Sequence, residues 1–458
     1  MKRIRAHLEG LLSSEQFTYP ALRSMLLTLI LDQFCIYIMG VLSTALVSSV
    51  GEAAIAAVSM VNTINGLIAL LFTALASGGG IVVARAKGRG DALGVRRAIG
   101  AVTALCFLAA IVLCGTMYLC ADFIVRFLYR DVEPLLIEYA VRYMRLICIS
   151  FVPFSLFNPI FHAFRNLGDT KSSLMLTLVI NASHLVLSIV FINFLGLGVD
   201  GSGLSFIAAR TVGMLMALVW LLAVRNDYGV RIRDFFHMNA AAAREIFSLA
   251  LPLSGEAALL QVGMLLVQLY LAKLTTTDLA AHAVSNSILM LYNSTTNALL
   301  AFTGTVCGQC YGAKRYDLVR FYSRSLIRVG RYALVLTVLI LYPFMPLLLR
   351  LYHATEAGRP IIYTSLSIAV FSMPLVWCDG NMPAMALRVA GDTVFAGIVS
   401  VSALVLCRCV VGYVLTIPLG LGVPGVWAAL VLEWIVRAAA YRIRMRGDRW
   451  LHLKAETA

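Results

Sequence analysis

About twelve stretches of some twenty or more mostly apolar residues follow one another along this chain, and that succession dictates its fold class. A helix needs about 20 such residues, at ~1.5 Å of rise each, to cross the hydrocarbon core of a bilayer. The first six stretches cover residues 21–50, 53–84, 98–121, 136–164, 172–194 and 201–224. The second six cover 246–275, 279–310, 323–351, 361–387, 394–417 and 425–440. Together they leave no room for a folded soluble domain in 458 residues. Composition agrees, with 60% hydrophobic residues, 13% charged residues and a mean hydropathy of +0.87. A soluble protein is about half apolar and a quarter charged. Soluble enzyme, nucleic-acid binder and disordered scaffold are therefore disfavoured together. The expected fold is an all-α polytopic membrane protein.

The charge is lopsided, with 37 Lys and Arg against 23 Asp and Glu for a net +14, and its placement decides what it means. Arg85, Lys87, Arg89, Arg96 and Arg97 follow the second span, and Arg225, Arg231, Arg233 and Arg244 follow the sixth. Lys314, Arg315, Arg320, Arg324 and Arg328 follow the eighth, and Arg442, Arg444, Arg446 and Arg449 follow the twelfth. All share a side with Lys2, Arg3 and Arg5, whereas the alternate loops are acidic or nearly neutral. A nucleic-acid site gathers its basic residues on one element. Basic residues in loop after loop instead orient helices, and put both termini in the cytoplasm of a cell's plasma membrane. The basic N-terminus resembles the start of a signal peptide, but its apolar run is too long, contains Asp32 and lacks a small-residue cleavage site. A retained first helix is expected. The ten cysteines lie mostly singly in apolar runs as small hydrophobes, and Cys307-Gly308-Gln309-Cys310 has no thioredoxin-like setting.

The chain also repeats itself. Leu195-Gly196-Leu197-Gly198-Val199-Asp200-Gly201 recurs 224 positions later as Leu419-Gly420-Leu421-Gly422-Val423-Pro424-Gly425. Ala56-Ala57 pairs with Ala280-Ala281, Asn62 with Asn286, Gly80 with Gly304 and Gly88 with Gly312 at the same offset. Arg165, with Gly168-Asp169-Thr170, matches Arg388, with Gly391-Asp392-Thr393, one position short of it. Six helices followed by six more, both sets starting on one side, make parallel lobes with a pseudo-two-fold axis along the membrane normal. The expected division is 1–224 for the first lobe, 225–245 for a cytoplasmic linker and 246–458 for the second lobe with its basic tail. Both G-x-G-x-x-G runs bridge two spans rather than a strand and a helix, so they are expected to be tight turns, not dinucleotide sites.

At this point the chain resembles the multidrug and toxic compound extrusion (MATE) transporters. The resemblance rests on Gly51-Glu52-Ala53-Ala54-Ile55-Ala56-Ala57-Val58 after the first span and Asp278-Leu279-Ala280-Ala281-His282 after the seventh. It rests also on both Gly-Asp-Thr loops with Arg165 and Arg388, on Gly312-Ala313-Lys314, and on Leu251-Pro252 followed by Glu256. Arg408, and Glu433-Trp434 with Arg437, look like the family's eleventh and twelfth helices. The resemblance implies efflux of small organic compounds, often cationic or amphipathic and drug-like, in exchange for H⁺ or Na⁺. Alternating access between two lobes would serve a protein without cofactor, acting as a monomer in the lipid bilayer. Relatives usually carry an Asp where this chain has Ser43, and an Asn and an Asp where it has His184 and Ser188. These departures shift the expected coupling role toward the second lobe.

Ionisable groups at bilayer depth cost about 2.5–3.5 kcal/mol on insertion scales, so each needs a partner or a role. Asp32 and Glu256 are repeat partners, each ~15 Å into its helix and so expected near mid-membrane. Burial favours a carboxyl's neutral form, which suits proton coupling; the alternative is a carboxyl satisfied by polar neighbours or an ion pair. Asp379 lies beside Trp377 in a stretch broken by Pro374 and Pro383, where exposed carbonyls can hold a cation. Glu256, Asp379 and Asp32 are the candidate coupling or substrate residues. Arg408 and Glu433, on adjacent spans, are expected to support them as an ion pair. Arg210 lacks an obvious partner, and His184 is either a core hydrogen-bonding residue or a proton relay. Aromatic faces at Tyr37, Tyr270, Tyr292 and Trp377 and amides at Asn62, Asn286, Gln261 and Gln268 are candidate cavity lining.

The alternative to an exporter is a flippase of related fold for lipids or lipid-linked saccharides. It calls for a cationic cavity, whereas the intramembrane charges here are mixed. A membrane enzyme is not expected, because no H-E-x-x-H motif or Ser/His pair at one depth occurs. No P-loop points to ATP-driven pumping, and no metal site or nucleic-acid partner is expected.

Overall fold

The computed structural model describes residues 2–47, 52–129, 134–236, 240–352 and 354–452, which are almost wholly helical. Gly51, Asp131 and the side chains of Ser43, Ala56 and Ala57 lie outside the described residues. A short α1 (Lys2–Leu12) precedes α2 (Tyr19–Val47), α3 (Glu52–Gly88) and α4 (Ala92–Leu119). Then come α5 (Ala121–Leu128), α6 (Pro134–Asn166), α7 (Thr170–Phe194) and α8 (Gly198–Val224). The second half has α9 (Ala240–Leu271), α10 (Thr276–Gly312) and α11 (Tyr316–Leu351), followed by α12 (Gly358–Ala390), α13 (Thr393–Thr416) and α14 (Val423–Arg444).

Among the described residues, 11 helices are long and apolar enough to cross a membrane. α10 is not one of them, although it has 37 residues, because Ser, Thr and Asn dilute its apolar content. Ser285, Ser294, Thr295, Thr296 and Thr303 on it are all buried. A helix that turns polar side chains inward among other helices needs little apolar surface of its own, and with it the twelve expected spans are accounted for.

The repeated motifs are turn devices. Gly168 (φ +82°) and Gly391 (φ +103°) take the left-handed conformation that ends α6 and α12. Asp169 then caps α7, accepting from the Ser172 hydroxyl at 2.6 Å and its backbone N–H at 3.3 Å. In the second copy Asp392 instead accepts from Arg444 Nε at 2.8 Å. The two Gly-rich runs are tight turns with left-handed glycines at Gly196, Gly198, Gly420 and Gly422. A Cβ on Gly201 would stand 2.8 Å from the Phe191 carbonyl oxygen, so the helix start packs directly on the preceding backbone.

Packing divides the chain into two compact units, Cys35–Ser254 and Met1–Phe34 with Gly255–Ala458. α2 and α9 each begin in one unit and end in the other. In the Cys35–Ser254 unit, α6 packs on α3 and α8, and Phe72 stacks on Phe151 with ring centroids 5.4 Å apart. A 3-10 turn, Ile232–Phe235, lies on α4, where Asp234 accepts from Arg96 Nε at 2.6 Å and Nη2 at 2.8 Å. In the other unit, α10, α12 and α14 pack on one another. There α1 lies on α11, with Leu11 and Leu12 buried and the Tyr322 hydroxyl donating to the Leu12 carbonyl at 2.9 Å.

Candidate functional site

Glu256 stands on α9, four residues past Pro252, and is buried. Arg388 Nη2, from the last turn of α12, lies 2.5 Å from its Oε1. On the other side a Cβ added to Gly397 would sit 3.5 Å from Oε2, so the absent side chain makes room for the carboxylate. Arg388 is three residues from the Gly391 turn, and Gly397 is four residues into α13, about 6 Å along it. Glu256, halfway along α9, therefore faces the first turns of α13 and the end of α12.

Asp379 follows a π-helical segment, Met373–Trp377, which contains Pro374. The broken helix expected there exists, but two guanidiniums flank the carboxylate: Arg331 at 2.6 Å and Arg442 at 3.3 Å. The protein itself supplies the cation at this position. Farther along the same bundle, Glu433 is 2% exposed and lies 2.6 Å from Arg408 Nε and 2.5 Å from Arg437 Nη2. Arg437 also donates to the Ser400 carbonyl at 3.1 Å and to Asn381 Oδ1 at 3.2 Å. Arg408 belongs to a second π segment, Leu404–Val411, and lies 2.9 Å from Met264 Sδ, while its carbonyl accepts from the Tyr270 hydroxyl at 3.0 Å. Such segments widen the helix by one residue and recur at functional sites. Asp32, on α2, is fully buried and accepts from Gln33 Nε2 at 3.2 Å.

In the Cys35–Ser254 unit, Arg210 is buried on α8. Its guanidinium lies 2.6 Å from Ser150 Oγ and 4.4, 4.6 and 5.4 Å from the ring centres of Phe151, Phe154 and Phe206. Among the described residues no carboxylate stands against it, and the aromatic faces take that place. The His184 ring is 4.2 Å from that of Phe206, and Ser188 donates to Ser205 Oγ at 3.0 Å. Asn62 sits 3.5 Å from the Tyr143 hydroxyl, and Tyr37 is half-buried.

The remaining lining candidates do not form one group. Tyr270 joins Arg408, and Asn286 lies 2.8 Å from His282 Nε2. Tyr292 and Trp377 are buried, whereas Gln261 and Gln268 are exposed on α9. What the sequence reading missed is the partner of Glu256. Its signal was present, since Arg165 and Arg388 precede the two Gly-Asp-Thr turns at matching places. Among the described residues no cluster of three His, Cys, Asp or Glu side chains is placed to hold a metal ion.

This arrangement belongs to a known architecture. The chain is 24% identical over 431 residues to the uncharacterised transporter YisQ of Bacillus subtilis, covering 90% of this chain and 91% of that one. It is 20% identical over 415 residues to the probable multidrug resistance protein NorM of Thermotoga maritima, covering 90% and 88%. Its fold matches a MATE crystallised with MaL6 (TM-score 0.86, 20% identity, 95% and 97% covered). It also matches a MOP-superfamily transporter from Pyrococcus furiosus described as having a binding pocket of reverse polarity (TM-score 0.84, 20% identity, 95% and 96% covered). The MatE family model matches residues 29–190 and 252–414, one stretch in each half, and the chain belongs to this family of multidrug and toxic compound extrusion transporters.

Proposed function

We propose that this protein exports small amphipathic organic compounds by alternating access, driven by inward flow of protons through Glu256. The observation that carries the coupling role is the buried Glu256–Arg388 pair at 2.5 Å, set on two of the family's own motifs. A carboxylate held against a guanidinium has little attraction left for a second metal-like cation, whose binding calls for several oxygens around it. A proton needs only one. Its arrival on Glu256 removes the counter-charge from Arg388, and a buried guanidinium without its carboxylate is unstable by about 3–5 kcal/mol. That penalty is large enough to drive rearrangement at the α12–α13 turn, where Arg388, Gly391 and Gly397 meet. Asp379, between Arg331 and Arg442, supports the same bundle as a fixed charge.

Transport into proteoliposomes tests this, with a fluorescent organic compound and an imposed gradient of either H⁺ or Na⁺. The expected result is uptake driven by the pH gradient, and at least a tenfold loss of it in Glu256→Gln. Asp379→Asn is expected to retain part of the driven transport. Uptake driven by Na⁺ alone, or unchanged proton-driven uptake in Glu256→Gln, excludes the assignment.

A further inference from the structure

One face of α11 carries a gradient of character that the coupling site does not use. Arg324, Arg328, Tyr332, Val335 and Leu339 follow one another at intervals of three or four residues, and all are exposed. That spacing sets them on one side of the helix, each beside the next. Arg331 joins them, three residues past Arg328. Along the helix this face is basic, then aromatic, then apolar. Arg320, a turn before Arg324, is taken by Asp448. Among the described residues neither Arg324 nor Arg328 has a carboxylate partner.

Two helix lengths place this gradient in the bilayer. Residues 332–351 of α11 extend about 30 Å at ~1.5 Å each, enough to cross the hydrocarbon core alone. Arg331 thus stands at the edge of the core. α14 has 22 residues, and Arg442 lies in its last turn. At about 33 Å that helix also just spans the core, which puts Arg442 at an edge too. The two guanidiniums meet at one carboxylate, Asp379, at 2.6 and 3.3 Å, so the edge is the same one. The Asp379 side chain is 14% exposed and those of Arg331 and Arg442 are 42% and 68% exposed, so the cations lie outside their shared counter-charge. Each guanidinium carries five N–H donors, more than a shared carboxylate can accept. With Arg324 and Arg328, four guanidiniums stand against one carboxylate. We propose that Arg328, Arg331 and Arg442 hold the phosphate of an anionic glycerophospholipid, such as phosphatidylglycerol, with its acyl chains along Val335 and Leu339. Basic pockets between spanning helices at this level suit anionic headgroups. A choline headgroup would bring an ammonium to a cationic surface, and a soluble phosphate would use only the basic end of the face. This binding goes beyond the export reading and does not rest on it.

Native mass spectrometry, which counts bound lipids, tests it on the full chain in dodecylmaltoside. The protein is titrated with dioleoyl phosphatidylglycerol and with dioleoyl phosphatidylcholine. Phosphatidylglycerol is expected to bind about tenfold more tightly or better, a comparison that needs no variant to fold. Arg328→Gln removes an unpaired charge, and Arg442→Gln leaves Asp379 its Arg331. Each is expected to weaken phosphatidylglycerol about fivefold and to leave phosphatidylcholine unchanged. Arg89→Gln, exposed in a basic loop of the other unit, is expected to change neither. Equal binding of the two lipids, or unaltered phosphatidylglycerol affinity in Arg328→Gln and Arg442→Gln, overturns the site. An equal loss in Arg89→Gln also overturns it, by showing that diffuse charge does the binding. Glycerol 3-phosphate, the phosphate without the chains, is expected not to displace the lipid even in large excess. Displacement would make this a soluble-phosphate site and refute the lipid.

Discussion

At Asp234 the Arg96 guanidinium, donating from two nitrogens, holds the carboxyl below the usual carboxylate range. The group lies in a turn outside the spanning helices, and its lowered value means that the pair stabilises the folded state at neutral pH. That contribution is complete above the unfolded value of about 3.9 and is lost as pH falls through the folded one. The melting temperature of the detergent-solubilised protein is expected to hold steady above about pH 5 and to fall in the acid range. Asp234→Asn should lower it at neutral pH and flatten the acid fall; a variant that tracks the unaltered protein at every pH shows the pair to be inert. Residues of this kind mark the limit of sequence reading. Asp32, Glu256, Asp379 and Glu433 stand out as acids in apolar runs, because insertion cost makes any such residue conspicuous. Their partners do not stand out, because helical periodicity gives a rise along one helix but not which neighbour it faces. Arg408 and Glu433 were pairable as the acid and base of adjacent spans. Arg388 was not matched to Glu256, since 132 residues separate them.

The helices themselves were legible from apolar length, and the Gly-Asp-Thr turns from their recurrence. The π segments were not, at Ala110–Cys114, Ile189–Phe194, Trp220–Val224, Met373–Trp377 and Leu404–Val411. One inserted residue leaves apolar content unchanged, and only Pro374 gave a local signal. α10 shows the converse: it was read as a span from sequence, its polar residues leave it less apolar than the other long helices, and burial among its neighbours explains why it need not be apolar. The orientation of these elements is open to labelling. In a background lacking the exposed Cys120, Arg89→Cys should react with an impermeant maleimide only from the cytoplasmic side, and Leu197→Cys only from outside. The opposite pattern would invert the topology drawn from the basic loops.

For the whole molecule, the repeat at 224 positions announced two halves, but the compact units do not begin and end with the chain's halves: residues up to Phe34 pack with Gly255–Ala458. A chain cut between Tyr228 and Gly229, in an exposed turn, tests what this means. The fragment 1–228 made alone is expected to accumulate at under a tenth of the level it reaches when 229–458 is made beside it, measured as detergent-extractable, protease-resistant protein. Equal accumulation would show that residues 2–34 need no partner from the second half. The same division sets a schedule for biosynthesis. Residues 2–34 are synthesised before the segment they pack with, which begins beyond Cys35–Ser254, after 220 intervening residues. At about 5–20 residues per second, residues 2–34 precede that segment by some 10–45 s. In that interval Asp32, fully buried in the folded protein, is expected to need shelter from lipid of the kind an insertase or chaperone provides.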